Sequence, residues 1–207
     1  MRLAHGFAFV LAGLFLAALP AAAQPLVLNE ILAGPSRDWD GSGTFSSRDD
    51  EWLEVMNAGT ADLDLSNYFV TDGDSIPRFR LMGTLPAHDF LLVTGRMSWD
   101  WERANGFPAF GLSLANSGDA VILWEITGGD TLEVDRYAYR NHEALADRAS
   151  GRRPDGGPWS LYDGLNAYTG AIPPLGNGCE PTPGAGNGCT VTPTHASTWG
   201  AVKRRYR

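Results

Sequence analysis

Basic residues are scarce along most of this chain. Between residues 24 and 202 eleven Lys or Arg face 24 Asp or Glu, a net of −13. Such a body repels a phosphate backbone and offers no basic stripe, so direct nucleic-acid binding is not expected. Histidine is nearly as sparse: beyond residue 23 only His88, His142 and His195 occur. No His-Glu-x-x-His, Gly-x-Ser-x-Gly or phosphate-loop pattern is present, and Asn141-His142-Glu143 has no evident nucleophile or oxyanion site to serve, so it reads as a surface turn. Cysteine is limited to Cys179 and Cys189, each preceded by Gly-Asn-Gly. Two thiols without a second pair argue against zinc, and in an exported chain they read as a disulfide closing a short loop. Beyond residue 23 no apolar run is long enough to span a bilayer.

The first 23 residues supply the context for that disulfide. Arg2 precedes a thirteen-residue apolar stretch, Phe7 to Leu19, followed by Ala21-Ala22-Ala23. This is the pattern of a signal peptide cleaved after Ala23, and it predicts a secreted or cell-surface protein. Helical periodicity is almost absent from the rest. Short apolar or alternating runs (Leu26 to Leu32, Glu51 to Met56, Tyr68 to Thr71, Phe79 to Leu81, Phe90 to Thr94, Phe107 to Leu112, Ala120 to Ile126, Leu132 to Tyr139) are separated by turn chemistry such as Asp72-Gly73-Asp74 and Gly128-Gly129-Asp130. That alternation predicts an all-β antiparallel sandwich. One helical patch, Trp99 to Asn105, ends at Gly106 and is expected to cap one end of the sandwich.

Chemistry concentrates in Asp38 to Asp49. Read as a twelve-residue loop, it places Asp38, Asp40, Ser42 and Asp49 at ligand positions 1, 3, 5 and 12, with Gly43 at the sharp turn. Thr44 would contribute its carbonyl and Ser46 a hydroxyl or a bridging water. The terminal Asp in place of a bidentate Glu predicts weak calcium binding, on the order of 10⁻⁴–10⁻³ M, as in extracellular modules. Asp50 and Glu51 follow and can join as ligands or deepen the negative field. A metal-dependent hydrolase or nuclease-associated protein using this cluster, 38–51, is the alternative reading. Glu30 and Glu54 fall on adjacent candidate strands. They read as structural carboxylates that accept backbone hydrogen bonds or meet Arg152, in preference to an acid–base pair. Of the tryptophans, Trp52 and Trp124 sit in strands and are predicted core, whereas Trp99 and Trp101 are the candidates for a stacking surface.

Asn29-Glu30, Glu51-Trp52-Leu53-Glu54-Val55-Met56-Asn57, Asp64-Leu65-Ser66-Asn67-Tyr68, Leu114-Ala115-Asn116-Ser117-Gly118-Asp119, Gly151-Arg152-Arg153-Pro154-Asp155-Gly156 with Trp159, and Thr182-Pro183-Gly184 with Asn187 come in a telling order. Together they resemble the lamin tail domain of bacterial secreted proteins, over roughly residues 26 to 187. The resemblance implies an immunoglobulin-like β-sandwich. It also implies an acidic insertion before the second strand, where Ser42 stands in place of a common Asp and leaves the loop one carboxylate short. In lamins such a domain meets chromatin and proteins, but the acidic body does not suit the nucleic-acid contact. The organisation expected is a signal peptide (1–23), a sandwich domain (24–189), a Thr/Ser/Pro linker (190–198) and an aromatic, basic tail (199–207) similar to bacterial sorting tags. The function expected is a non-enzymatic binding or structural module that meets a protein or polysaccharide at the cell surface.

Overall fold

The computed structural model describes residues 25–189; the leader, linker and tail read from the sequence lie outside them. Two antiparallel sheets enclose the main core, as the strand and turn pattern predicts. The five-stranded sheet has the order β11 (Trp159–Tyr162), β10 (Ala149–Arg152), β1 (Leu26–Leu32), β2 (Trp52–Asn57), β7 (Phe90–Thr94). The four-stranded sheet has the order β5 (Pro77–Arg80), β4 (Tyr68–Thr71), β8 (Gly118–Thr127), β9 (Asp130–Arg140), and a small ribbon pairs β3 (Leu63–Asp64) with β6 (Thr84–Leu85). Leu28, Ile31, Leu53, Val55 and Val93 from one sheet meet Tyr68, Val70, Phe79, Val121 and Leu123 from the other. Apolar burial of this kind is the main stabilising term of a sandwich.

A bulge decides what the second face of the larger sheet carries. Leu28 pairs with Val55 and Glu30 with Glu54, so Asn29 is the extra residue on β1. Before it the even-numbered Leu26 and Leu28 point into the main core; after it Ile31 does, and Glu30 and Leu32 turn to the opposite face. There Leu32 and Trp52 join Ala149, Tyr162 and Cys179 in a second, smaller core.

Several expectations need correction. Phe107 to Leu112 is not a strand, because the Phe110 and Gly111 amides, which would pair in a sheet, donate instead to the Glu102 carboxylate at 2.7 and 2.8 Å. The helix α1 spans Gly95–Asn105, starting four residues earlier than the aromatic patch implies. Thr94 caps it by accepting from the Met97 amide, and Gly106 ends it in the left-handed region at φ 76°. It packs against β5 and β7. Trp124 is only half-buried, since Val121 and Leu123 face the main core and alternation along β8 puts Trp124 on the outer face, where it stacks on Phe69 and donates to the Thr71 hydroxyl. His142 and Glu143 are buried, contrary to a surface turn: His142 stacks on Tyr168, and Glu143 accepts from Tyr137, Ser150 and the Arg140 amide.

Candidate metal centre and its surroundings

The loop between β1 and β2 is held at its start by Asp147. That carboxylate accepts from the Ser36 amide and hydroxyl, from Arg37 and from the Trp39 indole N–H. Burial pushes the Asp147 carboxyl up, but these four donors outweigh it and hold it below the ordinary carboxylate range. At the loop's end the Asp50 amide donates to the Ser46 carbonyl at 3.0 Å, forming one turn that rotates Asp50 inward. Asp50 is fully buried and accepts from the Trp39, Asp40 and Ser46 amides at 2.7–2.9 Å.

Asp38, Asp40 and Asp50 each present an oxygen within 4.8 Å of the others. Oxygens that share a calcium ion at about 2.4 Å cannot lie further apart than about twice that, so the three satisfy the geometric requirement. Asp49, the expected twelfth-position ligand, is turned away and pairs with Arg48 at 2.6 Å; Asp50 takes its place in the cluster. The physical reason is the turn at 46–50. The EF-hand register assumes a helix after position 12, whereas here a single turn leads straight into a β-strand. Ser42 lies inside the loop, its amide donating to Asp38 and Asp40, and its hydroxyl is engaged with the Thr44 carbonyl at 3.1 Å. The Ser46 hydroxyl accepts from the Asp49 amide at 3.2 Å. Gly43 adopts φ 85°, which its place at the sharp turn requires, and its amide donates to Asp38. Slight burial raises the Asp40 carboxyl. Hydrogen bonds from the Ser42 amide and hydroxyl and with Asp38, and the charge of Arg96, outweigh it and keep the group below the ordinary range.

On the second face of the larger sheet Glu30 stands directly opposite Glu54. Cys179 and Cys189 form a disulfide, with Cα atoms 5.4 Å apart, and the ring they close lies over this pair. Glu30 accepts from the Thr182 amide and hydroxyl; Glu54 accepts from Asn29 and from the Gly184 amide. Asn187 completes the contact through the Asp155 carboxylate and the Asn29 and Arg152 carbonyls. Desolvation pushes Glu30 up to about 8 and Glu54 to about 7, with the charges of Glu54 and Asp155 adding to the rise at Glu30 and that of Asp155 to the rise at Glu54. The reading of these glutamates as acceptors of backbone hydrogen bonds agrees with this geometry, but Arg152 does not reach them. It forks onto Asp135 at 2.9 and 3.1 Å and donates to the Leu28 carbonyl, tying β9 to the larger sheet.

The two stacking candidates differ. Trp99 is sandwiched by the guanidinium groups of Arg48, Arg96 and Arg103, 4.5–5.1 Å from the ring centroid. Trp101 packs edge-on to Phe79 and parallel to Phe107 at the margin of the main core.

The model of the Lamin Tail Domain family matches residues 20–141. The chain belongs to the lamin tail domain family. The matched span ends in the turn after β9, so β10, β11 and the disulfide ring lie beyond it, although β10 is hydrogen-bonded between β1 and β11 inside the larger sheet. No curated protein matches this lamin tail domain chain. The immunoglobulin-like fold implied by the sequence is therefore that of the family. Among the described residues no helix is long and apolar enough to cross a membrane.

The sequence offers Asp50 only as an additional ligand after Asp49, where the structure makes it the buried acid of the cluster, and it missed Asp147 as the loop's anchor. The doublet Asp49-Asp50 was visible, but which of the two faces inward depends on a turn that no local pattern announces. Asp147 lies more than a hundred residues from the groups it binds.

Proposed function

We propose that this lamin tail domain is a non-enzymatic binding or structural module of the cell surface or extracellular space, in which calcium binds weakly to the acidic loop and fixes its shape. The observation that carries the calcium reading is the convergence of Asp38, Asp40 and Asp50. Five amides already engage these carboxylates, but each carboxylate offers about four acceptor positions, which leaves room for a cation on Asp38 and Asp40 and on Asp50 Oδ2. With three acids, and Ser42 at a position where a fourth is common, the affinity belongs to the weak extracellular class. Export is supported by the signal-like leader and by a disulfide suited to an oxidising compartment.

The test is the melting temperature of the full chain with calcium, with magnesium and with chelator, beside Asp38→Ala/Asp40→Ala. A ligand that binds only the folded state raises its stability, so calcium at about ten times its dissociation constant adds roughly 1.4 kcal/mol. The expected outcome is a calcium-selective rise that the double variant lacks. Equal melting in calcium and chelator would reduce the segment to a solvated loop. Divalent-dependent cleavage of a nucleic-acid or ester substrate, lost in the same variant, would replace the module reading with the hydrolase one.

A further inference from the structure

All four strands of the smaller sheet and the helix border a cleft of about 320 Å³. That volume lies at the lower end of the range for small-molecule sites. Its floor is apolar and half-buried: Phe69 of β4, Ile126 of β8, and Trp101 and Phe107, whose rings stack 5.2 Å apart at 18°. Its rim is polar and exposed: Arg80 of β5, Asn105 at the end of α1 and Thr131 of β9.

The rim carries one uncompensated charge. Arg78, two residues earlier on the same strand, is surrounded by Asp72, Asp74 and Glu102. Arg80 has no carboxylate partner among the described residues. Its Nε and Nη2 both donate to the Ser66 carbonyl, at 3.1 and 2.8 Å, which fixes the guanidinium and leaves Nη1 uncommitted. A guanidinium held beside stacked aromatic rings matches a ligand with a flat apolar body and one carboxylate. The acidic charge of the body as a whole selects against a polyanion and in favour of a small, singly charged acid.

We propose that this cleft is a binding site for a small aromatic monocarboxylate, with its ring against Trp101 and Phe107 and its carboxylate on Arg80. This gives the binding-module reading a ligand class and rests on that reading, but it does not depend on the calcium loop. The bound group would take additional hydrogen bonds from Asn105 and Thr131, which also line the cleft.

The experiment is a titration of the isotope-labelled full chain, in chelator, with 2-naphthoate, with the uncharged 2-naphthylmethanol and with a short oligogalacturonate, followed by amide, indole and guanidinium resonances. Expected is a dissociation constant of roughly 1 mM or below for naphthoate, with shifts centred on Arg80, Trp101 and Asn105. The alcohol and the Arg80→Gln protein should bind about tenfold more weakly or worse, Asn105→Ala a few-fold more weakly, and Arg136→Gln as wild type. A melting curve for each variant establishes that it is folded. Equal binding of naphthoate by folded Arg80→Gln, shifts centred elsewhere, or no shift up to about 10 mM would overturn the proposal. Tighter binding of the oligogalacturonate than of naphthoate would overturn it too, in favour of an acidic glycan. Failure here with reproducible capture of a cell-surface partner through another face would leave the binding-module reading standing and remove only the small acid.

Discussion

Neighbouring aspartates in the acidic loop have opposite duties. Asp50 is buried and receives three amides, while Asp49 is half-buried and neutralises the more exposed Arg48. Asp50→Asn keeps a carbonyl oxygen but loses the charge that three N–H groups were arranged to meet. It should cost about 1–3 kcal/mol in denaturant unfolding and abolish any calcium-dependent rise in melting temperature. Asp49→Asn should shift stability by no more than about 0.5 kcal/mol, since surface ion pairs contribute little, and should leave the calcium response intact. Equal calcium responses in the two variants would contradict this division. From residue order alone the two are indistinguishable. Only the Ser46–Asp50 turn and the meeting of Arg48 with Trp99 assign them.

Among the elements, the disulfide ring and the glutamate pair beneath it form a coupled unit with a pH signature. The carboxyls of Glu30 and Glu54 ordinarily titrate near 4.5 and are raised to about 8 and about 7 by burial. The folded chain therefore holds protons that the unfolded chain has released between those values, and stability is greatest below about pH 4.5 with respect to these groups. It falls as pH rises through 7 to 8. Glu51, raised to about 8 by burial, adds to the same trend. Melting temperature should decline from pH 5 to pH 8.5. Glu30→Gln should flatten part of that decline, with its largest gain over wild type at the alkaline end; a gain concentrated at pH 5 would contradict the protonation argument. The strands next to this unit were the least legible part of the fold. Tyr68–Thr71 and Phe90–Thr94 stand where apolar runs place them, because a half-buried strand writes its pattern in consecutive residues. The strands β10 and β11 sit in Gly- and Pro-rich sequence that resembles a loop. Gly151 is needed there because a Cβ would stand 2.8 Å from the Tyr162 ring.

At the scale of the whole molecule, the folded unit is larger than the span that identifies its family. A fragment ending at residue 141 loses β10 and β11, leaves one edge of β1 unpaired and exposes Leu32 and Trp52, both fully buried in the intact chain. Such a fragment should show no cooperative unfolding transition by circular dichroism or calorimetry, whereas residues 25–189 should unfold in one step. A sharp transition in the shorter fragment would show that the second core is dispensable. The sandwich class was legible throughout, since it follows from strand length and turn spacing, but the dependence on the C-terminal quarter was not, because it arises from pairings across more than a hundred residues. Asn29 sets the phase for all of this. The single extra residue acts on β1 as a frameshift acts on a coding sequence: everything downstream is read on the other face. Deleting it would leave Glu30 opposite Glu54 and Ile31 in the core, and would remove only the side chain that bridges Glu54, Asp155 and the Gly156 amide. A flat pairing of the same residues, with Asn29 set against Glu54, would instead carry Glu30 into the apolar interior and turn Ile31 outward, so it is the bulge that keeps the glutamate pair out of the core.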